Sequence, residues 1–413
     1  METAQNKLWT KNFTILTWGT VISMLGNAVS GFAIGLLVLD YTSSIFLYAF
    51  FMVCYSLPRL IMPIVAGPYL DRFSRRKVIY TLDFISSGLY LAIFLFLQIG
   101  YFQYWLFLIV AMIIGAIDSV YNVAYESFFP TLISEGNFRR AYSIASLIYP
   151  LANTIMVPIA GLCYQSIGLA PLFVFNTITF LVAAIAETRI TDVEQHTAAR
   201  KDERFDRGRF IGDLKDGIGY LRQEKGLFAI TGYFFISTLT YTICSTLELP
   251  YFRANPLLGV TRYTLVMAAA TVGRLIGGVI HYRFRYPTAK KFLIAVFVYI
   301  VMSLLYAVFL YTPYWAMFVC MFLSGILGVT SYNIRMSSTQ NYVPDTMRGR
   351  FNGIFAMLNM LGGIIGQLIA GAVGEFLPAR PVIAAAMLVN ILGVLIFLLP
   401  RREQVKVIYN VEV

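Results

Sequence analysis

Apolar runs of about twenty residues return along almost the whole chain, separated by short charged or turn-forming segments. A run of that length crosses a bilayer as a helix: about 20 residues rising 1.5 Å each match roughly 30 Å of hydrocarbon. In lipid every backbone N–H and C=O must find its partner within the segment, so helix is the natural state of each run. Twelve runs are readable, at 12–39, 45–70, 78–98, 104–130, 141–163, 171–188, 227–249, 261–281, 292–310, 314–341, 351–373 and 381–399. The predicted fold is an all-α membrane protein with twelve transmembrane helices.

Only 13% of the 413 residues are charged and 58% are hydrophobic, whereas a soluble chain carries about a quarter charged. The net charge of +11 invites a nucleic-acid reading, but its placement argues against one. Segments 1–11, 71–77, 131–140, 189–226, 282–291, 342–350 and 400–413 hold 26 of the 32 Lys and Arg. Arg253, Arg262 and Arg380 lie in the opposite loops, and Arg59, Arg274 and Arg335 lie inside spans. This is the positive-inside pattern. It predicts a multi-pass protein of the cell (plasma or inner) membrane with both termini cytoplasmic, and basicity as an orientation signal.

Other chemistries find little support. Cys54, Cys163, Cys244 and Cys320 all fall in apolar spans without paired spacing, and His196 and His281 are far apart, so neither a disulfide framework nor a metal site is expected. No nucleophile–base constellation suggests an enzyme. No Gly-x-x-x-x-Gly-Lys-Ser/Thr loop suggests ATP as the energy source, and no cofactor is expected. The run Phe13–Leu39 is too long for a cleavable signal and more spans follow it.

The one long polar segment, 189–226, divides six spans from six, giving an N-terminal bundle at 1–188, a linker, and a C-terminal bundle at 227–413. Within the linker Phe210, Leu214, Ile218 and Leu221 recur at helical spacing between Asp213, Lys215, Asp216 and Arg222. An amphipathic helix along the cytoplasmic surface is expected there. The halves repeat in parallel. Gly67 and Gly277 are 210 residues apart, as are Gly161 and Gly371, and each of the latter follows an alanine. Six-helix repeats of this kind are the plan of one large transporter class.

Between spans 2 and 3 lies Gly67-Pro-Tyr-Leu-Asp71-Arg72-Phe-Ser74-Arg75-Arg76-Lys77. The segment resembles the loop signature of the major facilitator superfamily, Gly-x-x-x-Asp-Arg-x-Gly-Arg-Arg/Lys, departing from it at Ser74. A narrower likeness, to the branch of macrolide efflux proteins and the enterobactin exporter, rests on 212–222 and on Pro158, Gly161, Gly168 and Asn176. That family's span-5 antiporter motif survives only as Pro158-x-x-Gly161. The resemblance implies two six-helix pseudo-symmetric bundles and a cytoplasmic latch. In that latch Asp71 accepts from the N-terminus of span 11 near Phe351–Gly353, Arg72 or Arg75 holds an acidic partner such as Asp83, and Gly67 permits close helix approach. The weaker second copy has His281 where Asp71 stands, so its latch should be weaker or absent.

Ionisable groups inside spans cost several kcal/mol unless they face protein or water, which makes each a functional candidate. Arg59 lies roughly 16 Å and Asp118 roughly 18 Å from the cytoplasmic ends of their spans, so the two share the midplane. Pro58 and Pro63 flank Arg59 and should bend span 2. Asp118, Asn122, Tyr125 and Glu126 form a polar stripe on span 4. In one reading Asp118 is the proton-coupling carboxylate, reset by Arg59 or by substrate. In the other, Arg59 and Asp118 are a permanent buried pair that fixes helix packing. Glu126 could snorkel or pair with Arg139 or Arg140.

In the second half Arg274 and Arg335 stand without an acid at comparable depth, Glu248 being at the outer end of span 7. They could bind an anionic substrate group or be neutralised by Asp118 and Glu126. Asn27, Asn153, Asn359 and Gln367 are cavity hydrogen-bonders or packing contacts. Tyr121, Tyr125, Tyr149 and Phe355 would supply aromatic walls. The expected function is a monomeric secondary transporter: proton-coupled efflux of a small amphipathic compound, drug- or siderophore-like, by alternating access. The alternatives are proton-coupled uptake of an organic anion, and a sensor or lipid-handling protein that keeps the fold without coupled transport.

Overall fold

The computed structural model describes residues 7–70, 73–134, 136–191, 207–283 and 287–410. Among these there are fourteen α-helices and no strand. The first six are α1 (Lys11–Thr42), α2 (Ile45–Leu70), α3 (Arg75–Gln98), α4 (Tyr104–Phe128), α5 (Phe138–Ile167) and α6 (Ala170–Glu187). A short helix α7 (Arg207–Gln223) precedes α8 (Lys225–Ala254), α9 (Gly259–Arg283), α10 (Lys291–Val308), α11 (Tyr314–Tyr342), α12 (Asp345–Gly374), α13 (Ala379–Gly393) and α14 (Arg402–Tyr409). Twelve of the described helices are long and apolar enough to cross a membrane, one for each expected span.

Local chemistry sets the helix ends. Thr10 caps α1, its hydroxyl accepting from Phe13 N at 3.2 Å. Ser74 caps α3 by accepting from Lys77 N. The position where the loop signature carries glycine is therefore used here to satisfy an otherwise orphaned amide. Gly168 ends α5 at φ 81°, a backbone conformation that a Cβ disfavours.

The chain forms two compact units, one of Met1–Ser44 with Phe51–Phe205 and the other of Ile45–Phe50 with Asp206–Val413. In the first, α1 packs on α5 and α6, and α3 on α4 and α6. In the second, α8 packs on α12 and α13, and α10 on α11 and α13. Numbered by span, the two pairing patterns are the same, which is the architectural form of the 210-residue repeat.

Two features differ from expectation. The amphipathic helix α7 does form, but part of its apolar side is covered by protein. Leu221 is 6% exposed, Ile218 packs with it into the second unit's core, and a Cβ on Gly217 would run into the Ile354 side chain of α12. Asp216 pairs with Arg350 of the same unit at 3.4 Å. The stretch from 400, expected to be a loop, contains α14. Its Val405, Ile408 and Tyr409 are essentially fully buried, and the Tyr409 hydroxyl meets that of Tyr299 at 3.1 Å. The apolar residues at i, i+3 and i+4 were the available signal. They were masked by the basic residues around them.

Candidate functional site

The site in the first unit starts from a glycine. A Cβ at Gly115 of α4 would collide with the carbonyl oxygen of Tyr55 on α2, so only glycine lets the two helices touch there. One turn along each helix from that contact stand Arg59 on α2 and Asp118 on α4. Tyr55 donates its hydroxyl hydrogen to Asp118 Oδ2 at 2.7 Å. Arg59 Nη2 donates to the same oxygen at 2.9 Å and to the Tyr55 hydroxyl at 2.8 Å, with its guanidinium 4.8 Å from the centre of the Tyr55 ring. The Tyr55 hydroxyl, Arg59 Nη2 and Asp118 Oδ2 close a triangle. Asp118 is 16% exposed but Arg59 is 43% exposed, so the pair is not sealed in a dry contact. Tyr55 was not anticipated, since an aromatic in a span reads as packing.

Next to the triangle is a cavity of about 620 Å³ within the same unit. Its walls are Thr20 and Met24 of α1, Tyr121, Asn122, Tyr125 and Glu126 of α4, and Tyr142, Ser146, Ile148 and Tyr149 of α5. The expected polar stripe of α4 thus lines one continuous surface, with Asp118 one turn beyond Tyr121 and Asn122. The rings of Tyr121, Tyr125 and Phe129 stack in series at 6.2 and 5.2 Å. Glu126 opens on this cavity with no ion pair among the described residues, so it does not use Arg140. Asn27 continues the α1 face one turn past Met24 and lies outside the lining.

Other expected polar groups bond within their own unit. Asn359 accepts from Thr238 at 2.6 Å and donates to the Phe355 carbonyl, while Asn153 bonds back to the Tyr149 carbonyl. In the second unit Arg335 lies among three rings, 4.5 Å from Phe355, 5.4 Å from Phe234 and 5.5 Å from Tyr332. Arg274 donates to the Thr271 hydroxyl at 2.8 Å. Neither has a carboxylate partner among the described residues.

The loop motif is only partly described. Asp71 and Arg72 lie outside the described residues, and Gly67 is in the last turns of α2. Arg75 donates to the Ser127 carbonyl at 3.1 Å, and Arg76 to the Thr188 carbonyl at 2.7 Å. Both cations thus sit at the carboxyl ends of α4 and α6, where helix carbonyls are unpaired and the dipole is negative. Of the two expected partners of Asp83, Arg72 lies outside the described residues, and no ion pair of Asp83 with Arg75 is formed among them. Asp83 is 1% exposed and faces Glu187, a residue the sequence reading passed over because it ends a span.

Comparison with known proteins places this geometry in context. The chain is 24% identical to the MFS-type transporter YkuC of Bacillus subtilis over 76% of its length and 74% of that protein's. It is 22% identical to macrolide efflux protein A of Streptococcus pyogenes over 66% of each chain. It is 28% identical to the enterobactin exporter EntS of Escherichia coli over 33% of its length and 32% of that protein's. Among solved structures, the nucleoside transporter NupG superposes with a TM-score of 0.70 at 14% identity, covering 94% of this chain and 98% of that one. A bacterial homologue of the iron transporter ferroportin in its inward-facing state superposes with a TM-score of 0.66 at 15% identity, covering 98% and 100%. These likenesses establish the fold: twelve transmembrane helices in two six-helix bundles. The family model of the Major Facilitator Superfamily matches residues 16–367 and 285–409, and the chain accordingly belongs to that superfamily of membrane transporters.

Proposed function

We propose that the protein is a proton-coupled exporter of a small amphipathic compound, working by alternating access in the cell membrane with both termini cytoplasmic. Asp118 is the coupling carboxylate, and Arg59 and Tyr55 both donate to it. The observation that carries this reading is the Tyr55–Arg59–Asp118 triangle, half open and one turn from a cavity walled by Tyr121, Tyr125 and Tyr149. A proton arriving on Asp118 removes the anion to which both partners donate, so protonation and rearrangement of Arg59 are linked. Stacked aromatic rings suit an apolar scaffold, while Asn122 and Glu126 supply acceptors for its polar groups. The efflux relatives support export and a drug- or siderophore-like substrate.

The test uses the full-length protein in proteoliposomes with an imposed pH gradient, and a radiolabelled macrolide or enterobactin as probe. Asp118→Asn is expected to abolish gradient-driven movement while leaving probe binding measurable. Unchanged transport by Asp118→Asn would remove Asp118 from coupling, and expression that raises the probe inside cells would contradict export. A second reading, uptake of an organic anion, is favoured by Arg274 and Arg335, two cations without a carboxylate partner among the described residues. It predicts that Arg335→Gln raises KM for anionic probes and leaves neutral ones unaffected.

A further inference from the structure

Asp83 of α3 and Glu187 at the end of α6 are 1% and 0% exposed, and across the packed α3–α6 contact each is a charged neighbour of the other. Neither forms an ion pair among the described residues, and Asp83 Oδ2 and both Glu187 oxygens have no donor. The seat is shaped for the acid: a Cβ on Gly19 of α1 would come within 2.8 Å of Glu187 Oε1, so glycine there makes room. Two adjacent carboxylates removed from water and without a cation repel each other and lose several kcal/mol of hydration apiece. One proton held by the pair removes that repulsion.

A second group points the same way. The Tyr121 hydroxyl of α4, on a residue 7% exposed, has no hydrogen-bond partner among the described residues, and the charged groups that act on it most are Glu187 and then Asp83. The same tyrosine lines the cavity described above. It therefore belongs to the cavity wall and also feels the charge of the acid pair. The remaining groups facing the pair are few. From α4 Asp118 acts on Asp83, and Tyr125 faces Glu187, with Tyr142 of α5 behind it. From α1, Gly19 lies against Glu187, and the Thr20 hydroxyl lies by Tyr121 and Tyr125. Arg76 of α3 lies against the Thr188 carbonyl rather than either acid.

We propose that the Asp83–Glu187 pair is a second proton-binding site, loaded at neutral pH and exchanging with the cavity through the Tyr121 hydroxyl. The proposal rests on the proton-coupled reading above and adds a site to it. Infrared difference spectroscopy on the full-length protein in detergent reads the C=O stretch of a protonated carboxyl directly and needs no substrate. The band is expected at neutral pH, lost in both Asp83→Asn and Glu187→Gln, retained in Asp118→Asn, and shifted after transfer to D2O. Tyr121→Phe is expected to slow that shift. Two single variants guard against misfolding of either, checked by monodisperse elution.

Absence of the band at neutral pH, or its persistence in both variants, would overturn the assignment. So would a band that never shifts in D2O, which marks a locked structural proton, and so would a band erased by Na⁺ or Mn²⁺, which puts a metal cation in the seat. A gradient-independent transporter that still shows the exchanging band would refute coupling by Asp118 and leave this site standing. The reverse result would separate the two in the other direction.

Discussion

Where α2 crosses α4, Gly115 abuts the Tyr55 carbonyl and Arg59 follows one turn later; where α9 crosses α11, Gly325 abuts the Ala270 carbonyl and Arg274 follows one turn later. Gly115 and Gly325 are again 210 residues apart. The steric part of the crossing is repeated, with an arginine at the same step in each half. The chemistry is not repeated. Three residues past the glycine the first unit has Asp118 and the second has Gly328, and the carbonyl that meets the glycine belongs to Tyr55 in one and Ala270 in the other. Arg59 is bound to a carboxylate and a phenol, whereas Arg274 reaches the Thr271 hydroxyl and no carboxylate among the described residues. A small-residue contact fixes backbone distance whatever surrounds it, and so leaves the nearby polar positions free to diverge.

The largest expected effect is on function. Asp118→Asn should lower gradient-driven transport by at least about tenfold, equivalent to about 1.4 kcal/mol of transition-state free energy, while Arg274→Gln should not abolish it. Equal losses in proteoliposome assays would erase the distinction between the crossings. Next, Gly115→Ala and Gly325→Ala should each destabilise by about 1–3 kcal/mol, since the added methyl meets a carbonyl that only a backbone shift can move. Thermal melts in detergent that respond at one position alone would show that the steric repeat is not shared.

A sharper test builds the missing acid into the second crossing. Gly328 has open space, its nearest neighbour being Met302 Cε at 3.8 Å from a built Cβ. Gly328→Asp should be better tolerated with Arg274 present than in Arg274→Met, with a coupling of about 1 kcal/mol in a double-mutant cycle. Zero coupling would mean that Arg274 does not face the position Arg59 faces. The smallest effect belongs to Tyr55→Phe, which removes one hydroxyl from the triangle and should cost about 0.5–1.5 kcal/mol by melting. No change there would reduce Tyr55 to a packing residue.

Much of the fold was legible because lipid imposes length and apolarity on each span separately, so 12–39 or 104–130 could be recognised without reference to any other segment. Arg59 and Asp118 were legible for the same reason, as charges at matched depth in an environment that penalises them. Tyr55 and Glu187 were not. A tyrosine in a span is ordinary, and a glutamate as the last residue of a helix looks like an interfacial residue until three other helices are packed around it. Asp83 was seen but its neighbour Glu187 was not, since the α3–α6 contact that brings them together is long-range. α14 hid behind a basic terminus.

The sequence by itself determined twelve helices, their number per half, the repeat that relates the halves, and which buried charges needed explaining, because each follows from hydropathy and spacing along one strand of chain. Tertiary structure alone decided who meets whom: Tyr55 with Asp118, Asp83 with Glu187, and Tyr121 with the cavity. Such pairings depend on helix rotation and on glycine-sized contacts such as Gly19 and Gly115, where a single Cβ would move one backbone off the other. Those quantities are properties of packed surfaces, which no one-dimensional pattern contains.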